Sequence, residues 1–364
     1  MTDKILFLCT QKEAGGVQTR ATQMQASMAQ LGYDTDVVFL YAKREPFPPN
    51  VNHISLLPHP PRGVADMIRI FWRLFKYMLS NRPKAVVGFA HYASPIAAIF
   101  GFMTGARTRI ATQTNPISSV PKIGRVLDYI CGMTGLFTSN ISASKAVLNG
   151  FADYPARYKS RLKLIYNGVQ SRVSPLSKAE SRQTFGLSDT IKLMVCCGRL
   201  SQQKNHVFLL QILAELPDVH LAILGDGELR QTIEDEATRL GVRDRLHLVG
   251  ELPAKEVGRF LRAGDVFVFP SRFEAFGLAL AEAMLEGLPV VTSNHPALME
   301  VVGEAGFVLP LEKEEWKSAV ERLTSDADLR EEMGLKARAQ AKKFTYEAMF
   351  AGYLNEIVGS NGKG

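Results

Sequence analysis

Short apolar runs alternate along the whole chain with longer segments of helical periodicity. In the first half the predicted strands are residues 4–9, 36–40, 85–90, 109–113, 137–141 and 162–166. The pattern then starts again, with predicted strands at 192–197, 221–224, 246–249, 266–269 and 290–292. Strands that alternate with helices are typical of parallel sheets built from α/β units. The sequence therefore predicts an α/β protein with two Rossmann-like halves.

A polar segment with several turn formers, residues 167–178, separates the two series of strands. A chain of 364 residues is long enough for two domains, each with its own core. We expect an N-terminal domain over 1–170 and a C-terminal domain over 171–364. Residues 345–358 have the pattern of an amphipathic helix.

The two halves differ in charge. Residues 1–170 contain 20 Lys and Arg against 8 Asp and Glu, whereas residues 171–364 contain 23 against 28. Such a split indicates different partners for the two halves, and the basic half should meet something anionic.

Two groups of cations stand out in the basic half. The predicted helix 67–79 has large aromatic residues and three cations on a shared face, Arg69, Arg73 and Lys76. It fits a helix that lies on an anionic membrane, and it fits equally an ordinary sheet-packing helix with extended cationic side chains. The second group alternates as on one exposed face of a strand: Arg157, Lys159, Arg161 and Lys163.

Composition argues against several classes of protein. No uninterrupted apolar stretch reaches 18 residues, so we expect no transmembrane helix. The first residues include an acidic side chain and an apolar run too short for a signal-peptide core, which favours a cytosolic protein. The four cysteines are poorly placed for a metal site or disulfides, and we expect no metal or other cofactor.

Two glutamates follow the predicted strand 266–269. A helix is predicted to begin near Gly277, so Glu274 lies in the turn and Glu282 about one and a half helical turns inside the helix. Between them the first N–H groups of the helix are free to bind an anion. A carboxylate on each side of an anion site suits a nucleotide-sugar, which has a diphosphate centre and hydroxyl groups at both ends.

Cationic and glycine-containing loops follow the other predicted strands of the second half. Arg199 and Lys204 lie in the loop after residues 192–197, where open α/β sheets bind ligands, and two cations there can neutralise a diphosphate leaving group. Gly225 and Leu252 follow the next two strands, and only their positions connect them with a ligand site.

The first half offers its own candidates at the ends of strands. Gly15 and Gly16 follow the first strand and let a backbone approach a phosphate or sugar closely. His91 stands at the carboxyl edge of the strand 85–90, and Gln113 and Asn115, at the end of the next strand, are weaker candidates for binding an acceptor.

The order of these residues resembles that of the retaining family-4 glycosyltransferases. Asn167-Gly168-Val169 also matches a turn that this family has at its domain junction. The resemblance implies the GT-B fold, in which two Rossmann-like domains face each other across a cleft and a C-terminal helix crosses back to the first domain. One segment departs from the family: His295-Pro296-Ala297 stands where many members have a Gly-Gly pair, so the identity of the sugar cannot be transferred.

The resemblance also implies roles for individual residues. Glu274 would hold sugar hydroxyls of the donor and Glu282 its ribose, while His91 would contact the sugar near its reacting carbon. The expected catalytic residues are His91, Arg199, Lys204 and Glu274. The expected donor-binding residues are Gly15, Gly16, Gly225, Leu252, Ala275, Phe276, Gly277, Leu278 and Glu282.

These features predict a metal-independent, retaining glycosyltransferase of the hexosyl or N-acetylhexosaminyl class. It would move a sugar from a nucleotide-diphosphate-sugar to a hydroxyl of a membrane-associated saccharide or lipid-linked acceptor, in polysaccharide or glycolipid synthesis at the cytosolic face of the inner membrane. A UDP-sugar is favoured by family frequency alone.

Two alternatives remain open. One is a GT-B nucleotide-sugar epimerase or phosphorylase. The other is a non-enzymatic basic protein that binds nucleic acid or membrane, although no nucleic-acid motif is present and the acidic second half argues against nucleic acid.

Overall fold

The computed structural model describes residues 3–13, 15–43, 53–170 and 173–359. The chain divides into two compact units, unit 1 with residues 1–166 and 347–364, and unit 2 with residues 167–346. The division falls at the start of the polar segment 167–178, of which residues 171 and 172 lie outside the described residues.

Unit 1 contains a seven-stranded, fully parallel sheet in the order β3-β2-β1-β4-β5-β6-β7. Its strands are β1 (Lys4–Lys12), β2 (Asp34–Ala42), β3 (His53–Ser55), β4 (Ala85–Phe89), β5 (Thr108–Gln113), β6 (Ser139–Ser142) and β7 (Leu162–Leu164). Its helices before the division are α1 (Gly16–Gln30), α2 (Val64–Asn81), α3 (Ala90–Met103), α4 (Lys122–Thr134), α5 (Lys145–Asn149) and α6 (Ala156–Lys159).

Unit 2 repeats the plan with six parallel strands in the order β10-β9-β8-β11-β12-β13. Its strands are β8 (Lys192–Cys197), β9 (Val219–Leu224), β10 (Leu246–Gly250), β11 (Val266–Phe269), β12 (Val290–Ser293) and β13 (Phe307–Leu309). Its helices are α7 (Lys178–Thr184), α8 (His206–Ala214), α9 (Arg230–Arg239), α10 (Val257–Ala263), α11 (Leu278–Glu286), α12 (Pro296–Val302), α13 (Lys313–Ser325) and α14 (Ala327–Ala341). The last helix of the chain is α15 (Tyr346–Val358).

The central strands are buried on both faces, which explains their continuous apolar sequences. The β1 residues Ile5 to Cys9 and the β8 residues Leu193 to Cys197 are all buried. Helices cover both faces of a parallel sheet, so its strands lose the alternation of apolar and polar residues seen in half-exposed sheets. These runs form the cores of the two units.

Each sheet has one position where the strand order reverses. In unit 1 it lies between β1 and β4, and in unit 2 between β8 and β11. Loops that leave such neighbouring strands in opposite directions open a crevice at the carboxyl end of the sheet, where α/β proteins bind ligands. The loops after β1, β4, β8 and β11 are therefore the candidate ligand-binding loops of this fold.

The C-terminal helix belongs to unit 1. Gly352 lies so close to Ile165 that an added Cβ would stand 3.0 Å from its Cγ2 atom. The Tyr353 hydroxyl shares a hydrogen bond with the buried guanidinium of Arg20 on α1, and Glu356 pairs with Lys163 at 2.6 Å. Residues from both ends of the chain thus complete one core.

Several details of the predicted elements were wrong. The short edge strands β3 and β13 were not predicted. The alternating cations do not share a strand face, because Arg157 and Lys159 lie in α6 and only Lys163 lies in β7. Ala90 begins α3 instead of ending β4, so His91 is the second residue of a helix.

Candidate functional site

An ion pair lies where the strand order of unit 2 reverses. Lys204 follows β8 and Glu274 follows β11, and the Lys204 Nζ atom lies 2.5 Å from Glu274 Oε1. Both side chains are largely buried, and the Lys204 ammonium also lies 4.6 Å from the centre of the Phe269 ring. Charge, ring and strand geometry therefore fix a cation and a carboxylate side by side at the carboxyl end of the sheet.

Backbone hydrogen bonds connect the two loops that carry this pair. The Arg272 N–H donates to the Gln203 carbonyl at 2.8 Å, and the Gln203 side chain donates to the Phe273 carbonyl at 2.9 Å. The loops therefore hold each other in register. Sequence reasoning did not single out Gln203 or Arg272, because nothing in a single chain signals that two loops 70 residues apart will touch.

Glycines let the loops after β8 and β9 pack backbone against backbone. A Cβ on Gly225 would stand 2.2 Å from the Gly198 carbonyl oxygen, and one on Gly227 would stand 2.5 Å from the Leu200 carbonyl oxygen. Gly225 also has a φ of 138°, which side-chain-bearing residues rarely adopt. Gly198 leaves room for Lys204, whose side-chain carbons would lie 3.2 Å from an added Cβ.

Helix α11 begins close to the start predicted from the sequence, near Gly277. Gly277, with a left-handed φ of 93°, precedes Leu278, the first helical residue, and Glu282 is the fifth. The first-turn N–H groups of such a helix have no partner within it. Ala275 is half-buried, and the centre of the Phe276 ring lies 5.2 Å from that of the Phe344 ring. Ala275 and Phe276 therefore offer a ligand their backbone groups more readily than their side chains.

The Glu282 carboxylate lies near the end of β8. Burial raises the pKa of the Cys197 thiol and the Glu282 carboxylate raises it further, whereas the Lys204 ammonium acts in the opposite direction. The buried thiol therefore stays protonated at neutral pH, and Glu282 is close to the loop that carries Arg199 and Lys204.

The sequence identifies His295 only as a departure from the family, and the structure brings it within electrostatic range of Glu274. Its Nδ1 atom accepts from the Ala297 N–H at 3.4 Å and so caps α12. Burial lowers the pKa of His295, while the nearby Glu274 charge acts in the opposite direction. A neutral ring with Nδ1 as acceptor keeps its proton on Nε2.

The remaining predicted residues of unit 2 are more exposed. Arg199 lies at the start of the loop after β8 and pairs with Glu228 at 3.2 Å, with both side chains more than half exposed. Leu252 is half-buried in the loop after β10. Arg199 is therefore free to move toward a ligand at small cost.

Gly15, Gly16 and His91 follow the two strands of unit 1 between which the strand order reverses. Gly15 and Gly16 follow β1, and Gly16 begins α1; residue 14 of this loop lies outside the described residues. His91 follows β4 directly after Ala90, which has a left-handed φ of 70°. Such strain in a residue with a side chain is concentrated at functional sites.

His91 has the environment of a neutral histidine. Burial lowers its pKa, its ring lies 4.3 Å from that of Tyr92, and its Nδ1 atom has no hydrogen-bond partner among the described residues. Gly124 of α4 packs against the ring, because an added Cβ would stand 3.3 Å from its Cδ2 atom.

The Gln113 side chain is buried in unit 1 and hydrogen-bonded there. Its amide donates to Asp128 at 2.7 Å and to Asn140 at 3.0 Å, and the Tyr158 hydroxyl completes this buried network by contacting both partners. This arrangement does not support an acceptor contact through the Gln113 side chain. Asn115 is partly exposed in the loop after β5.

The predicted cations of α2 are all exposed. Arg69 pairs with Asp66 at 3.0 Å, Arg73 donates to the Leu56 carbonyl at 2.5 Å, and Lys76 lies on the same side of the helix. None of the described helices is long and apolar enough to cross a membrane. The described residues also contain no cluster of three or more His, Cys, Asp or Glu side chains arranged to hold a metal ion.

Comparison with known structures defines the class of fold. The structure of Anabaena HepE in complex with UDP and glucose superposes with a TM-score of 0.84 and 21% identity, covering 98% of this chain and 99% of HepE. Two Rossmann-like units with fully parallel sheets, in a chain that matches such structures end to end, constitute the GT-B fold.

A family model matches most of unit 2. Residues 177–340 match the model described as glycosyl transferases group 1. The matched region contains Arg199, Lys204, Glu274 and Glu282.

Curated relatives match over about half of the chain. An uncharacterized glycosyltransferase of Methanocaldococcus jannaschii is 31% identical over 200 residues, which are 52% of this chain and 50% of the relative. The lipopolysaccharide core biosynthesis glycosyltransferase LpsE of Rhizobium meliloti is 29% identical over 237 residues, 58% of this chain and 69% of LpsE. The chain spans half or less of the length of several curated relatives that it matches.

Proposed function

We propose that this protein transfers a sugar from a nucleotide-diphosphate-sugar to a hydroxyl of a membrane-associated saccharide or lipid-linked acceptor, with retention at the anomeric carbon. The observation that carries the proposal is the Lys204–Glu274 ion pair where the strand order of unit 2 reverses. The family match of residues 177–340 supports it.

The donor would be held between the two glutamates. Glu274 would accept hydrogen bonds from the hydroxyls of the sugar, and Glu282 from those of the ribose. The N–H groups at the start of α11 lie between them in sequence and would bind the diphosphate, aided by the positive end of the helix dipole.

The cations would act on the leaving group. As the bond from the anomeric carbon to the diphosphate breaks, negative charge grows on the diphosphate, and Lys204 and Arg199 would stabilise it. Lys204 is already held by Glu274 and the Phe269 ring, so little reorganisation is needed during the reaction. The departing diphosphate would take the proton of the acceptor hydroxyl on the same face of the sugar. By the resemblance to family-4 glycosyltransferases, His91 would contact the sugar near its reacting carbon.

Known relatives support the finer assignments. HepE was determined with UDP and glucose, which favours a UDP-sugar as the donor here. LpsE is named for lipopolysaccharide core biosynthesis, which favours a membrane-associated saccharide as the acceptor and a peripheral location at the inner membrane. We place the enzyme in the hexosyl or N-acetylhexosaminyl class and expect it to need no metal.

A panel of nucleotide-sugars tests the donor site. We expect Glu274→Gln to lower kcat/KM for the accepted donor on the order of a hundredfold, because a charged acceptor of hydrogen bonds is lost where the sugar is held. The matched control is Glu332→Gln, which changes an exposed Glu–Lys pair on α14 with a similar 2.6 Å separation. It should leave kcat/KM unchanged.

The same reactions separate the alternatives. A Glu274→Gln enzyme within a few-fold of the parent would show that the donor site is wrongly assigned. Inversion of the product anomer, observed by NMR, would exclude the retaining mechanism. A new nucleotide-sugar formed without any acceptor would identify an epimerase instead.

A further inference from the structure

Two helices of unit 1 expose apolar stripes. On α2 the exposed large hydrophobic residues are Val64, Ile68, Trp72 and Leu79, and on α4 they are Ile123, Val126, Tyr129 and Ile130. Their spacing puts each set on one side of its helix. Trp72 is 65% and Ile123 is 70% exposed, so about two thirds of each of these large residues is accessible to solvent.

The two stripes lie on the same face of the sheet. The connections from β3 to β4, from β4 to β5 and from β5 to β6 all cross the sheet in one direction, and right-handed crossovers place α2, α3 and α4 on one face. Helix α3 packs between the other two. The last residues of α3, Phe102 and Met103, are also exposed.

The α2 stripe lies on the flank toward α3. Phe71 and Phe75 of α2 have their ring centres 5.8 Å and 6.3 Å from that of Phe100 on α3. The exposed stripe of α2 continues outward from these contacts. We call the outer surface of the three helices the α2–α3–α4 face.

Cations accompany the apolar residues on this face, and exposed carboxylates do not. Exposed or half-buried cations lie at Arg69, Arg73 and Lys76 on α2 and at Lys122 and Arg125 on α4. The acidic residues of these three helices are Asp66, which is bonded to Arg69 and the Arg62 N–H, and Asp128, which is buried. The face combines large apolar side chains with positive charge.

We propose that the α2–α3–α4 face docks on the surface of an anionic lipid bilayer. The apolar side chains would enter the boundary between headgroups and acyl chains, and the cations would bind the headgroups. The charge selects this partner over a second copy of the chain, since a symmetric contact would bring the same cations against each other. The inference deepens the proposed function, because it names the surface that would bring the enzyme to a lipid-linked acceptor.

The chain carries a natural probe for this contact. Its only two tryptophans are Trp72, on the exposed stripe, and Trp316, which is buried in unit 2. We expect the Trp72 emission to shift to shorter wavelength, and to become protected from aqueous quenchers, when vesicles of equal parts phosphatidylcholine and phosphatidylglycerol are added. Pure phosphatidylcholine vesicles should give a much smaller change, because the cations then have no anionic partner.

Charge-introducing variants locate the surface. Ile68→Glu and the pair Ile123→Glu/Ile130→Glu should each weaken vesicle binding, measured by co-sedimentation, by about tenfold or more. Two matched controls carry equally exposed leucines elsewhere: Leu31→Glu at the end of α1, on the other face of the sheet, and Leu335→Glu on α14 of unit 2. Both controls should bind vesicles like the parent. Circular dichroism checks that each variant is folded.

Three outcomes would overturn the proposal. The first is an unchanged Trp72 emission with anionic vesicles at low salt. The second is equal loss of binding in the control variants. The third is a dimer in solution that Ile68→Glu dissociates, which would assign the face to self-association.

Failure of the docking proposal can be told apart from failure of the proposed function. Vesicle binding requires no catalysis, and Glu274→Gln should bind vesicles as the parent does. Loss of docking with donor hydrolysis intact would remove only the inference on the lipid surface.

Discussion

Lys204 and Glu274 are 70 residues apart in sequence, yet their charged atoms lie 2.5 Å apart. Each could be identified separately, because a cation after one buried strand and a carboxylate after another are local features. Their contact could not be predicted, since it requires β8 and β11 to be neighbours in the sheet. The same holds for His295, which only the folded chain brings within electrostatic range of Glu274.

A single glycine tests how tightly the loops of the site must pack. Gly225→Ala should destabilise unit 2 by about 3 kcal/mol, because an unfavourable φ adds to a collision with the Gly198 carbonyl. The control Gly241→Ala also has a positive φ, of 67°, but open space around it, and should cost about 1 kcal/mol. Urea unfolding followed by Trp316 fluorescence in a Trp72→Phe background measures both. Equal costs would show that the close approach of the loops is unimportant.

Most helices and strands followed from apolar periodicity, and the exceptions have physical causes. The edge strands β3 and β13 have three residues each, too few to show a period. The alternating cations at 157–163 mimic a strand because a short helix and a following strand share them. Helix α15 was predicted locally, whereas its place in the core of unit 1 depends on contacts with α1 and β7.

The contact between α1 and α15 can be measured by a double-mutant cycle. Tyr353→Phe removes a hydrogen bond from the buried Arg20 guanidinium, whose Nη1 atom already has no partner among the described residues. We expect a loss of about 2 kcal/mol in the free energy of unfolding. Adding Arg20→Met should recover much of that loss, because no buried charge is then left unsatisfied. Additive losses in chemical denaturation would contradict a direct contact.

At the scale of the whole molecule, the two units share a fold plan but differ in charge and in buried histidines. Burial lowers the pKa of four histidines in unit 2, most of all that of His206, to about 3. The other three are His220, His247 and His295. In unit 1, burial lowers the pKa of His91 and raises that of Asp128. Acid therefore lowers the stability of unit 1 through His91 and increases it through Asp128.

Acid should therefore destabilise unit 2. A histidine whose pKa is lowered in the folded state does not reduce the free energy of unfolding above its unfolded pKa, near 6.5. Below that pH the free energy of unfolding falls until the folded pKa is reached. For His206 the loss is about 1.4 kcal/mol per pH unit between pH 6.5 and 3. In a Trp72→Phe background, Trp316 emission should report a lower unfolding midpoint at pH 5.5 than at pH 7.5. His206→Leu should reduce that difference, and an unchanged pH dependence would refute the assignment.

The sequence by itself determined the α/β class, the two series of strands and the chemical groups at their carboxyl ends. These are local properties, since burial on both faces fixes the composition of a strand and a turn follows it directly. Only the tertiary structure decided which strands are neighbours, because parallel strands pair across long separations through packing. That choice placed Lys204 against Glu274, withdrew Gln113 into a buried network, and aligned α2, α3 and α4 on one face.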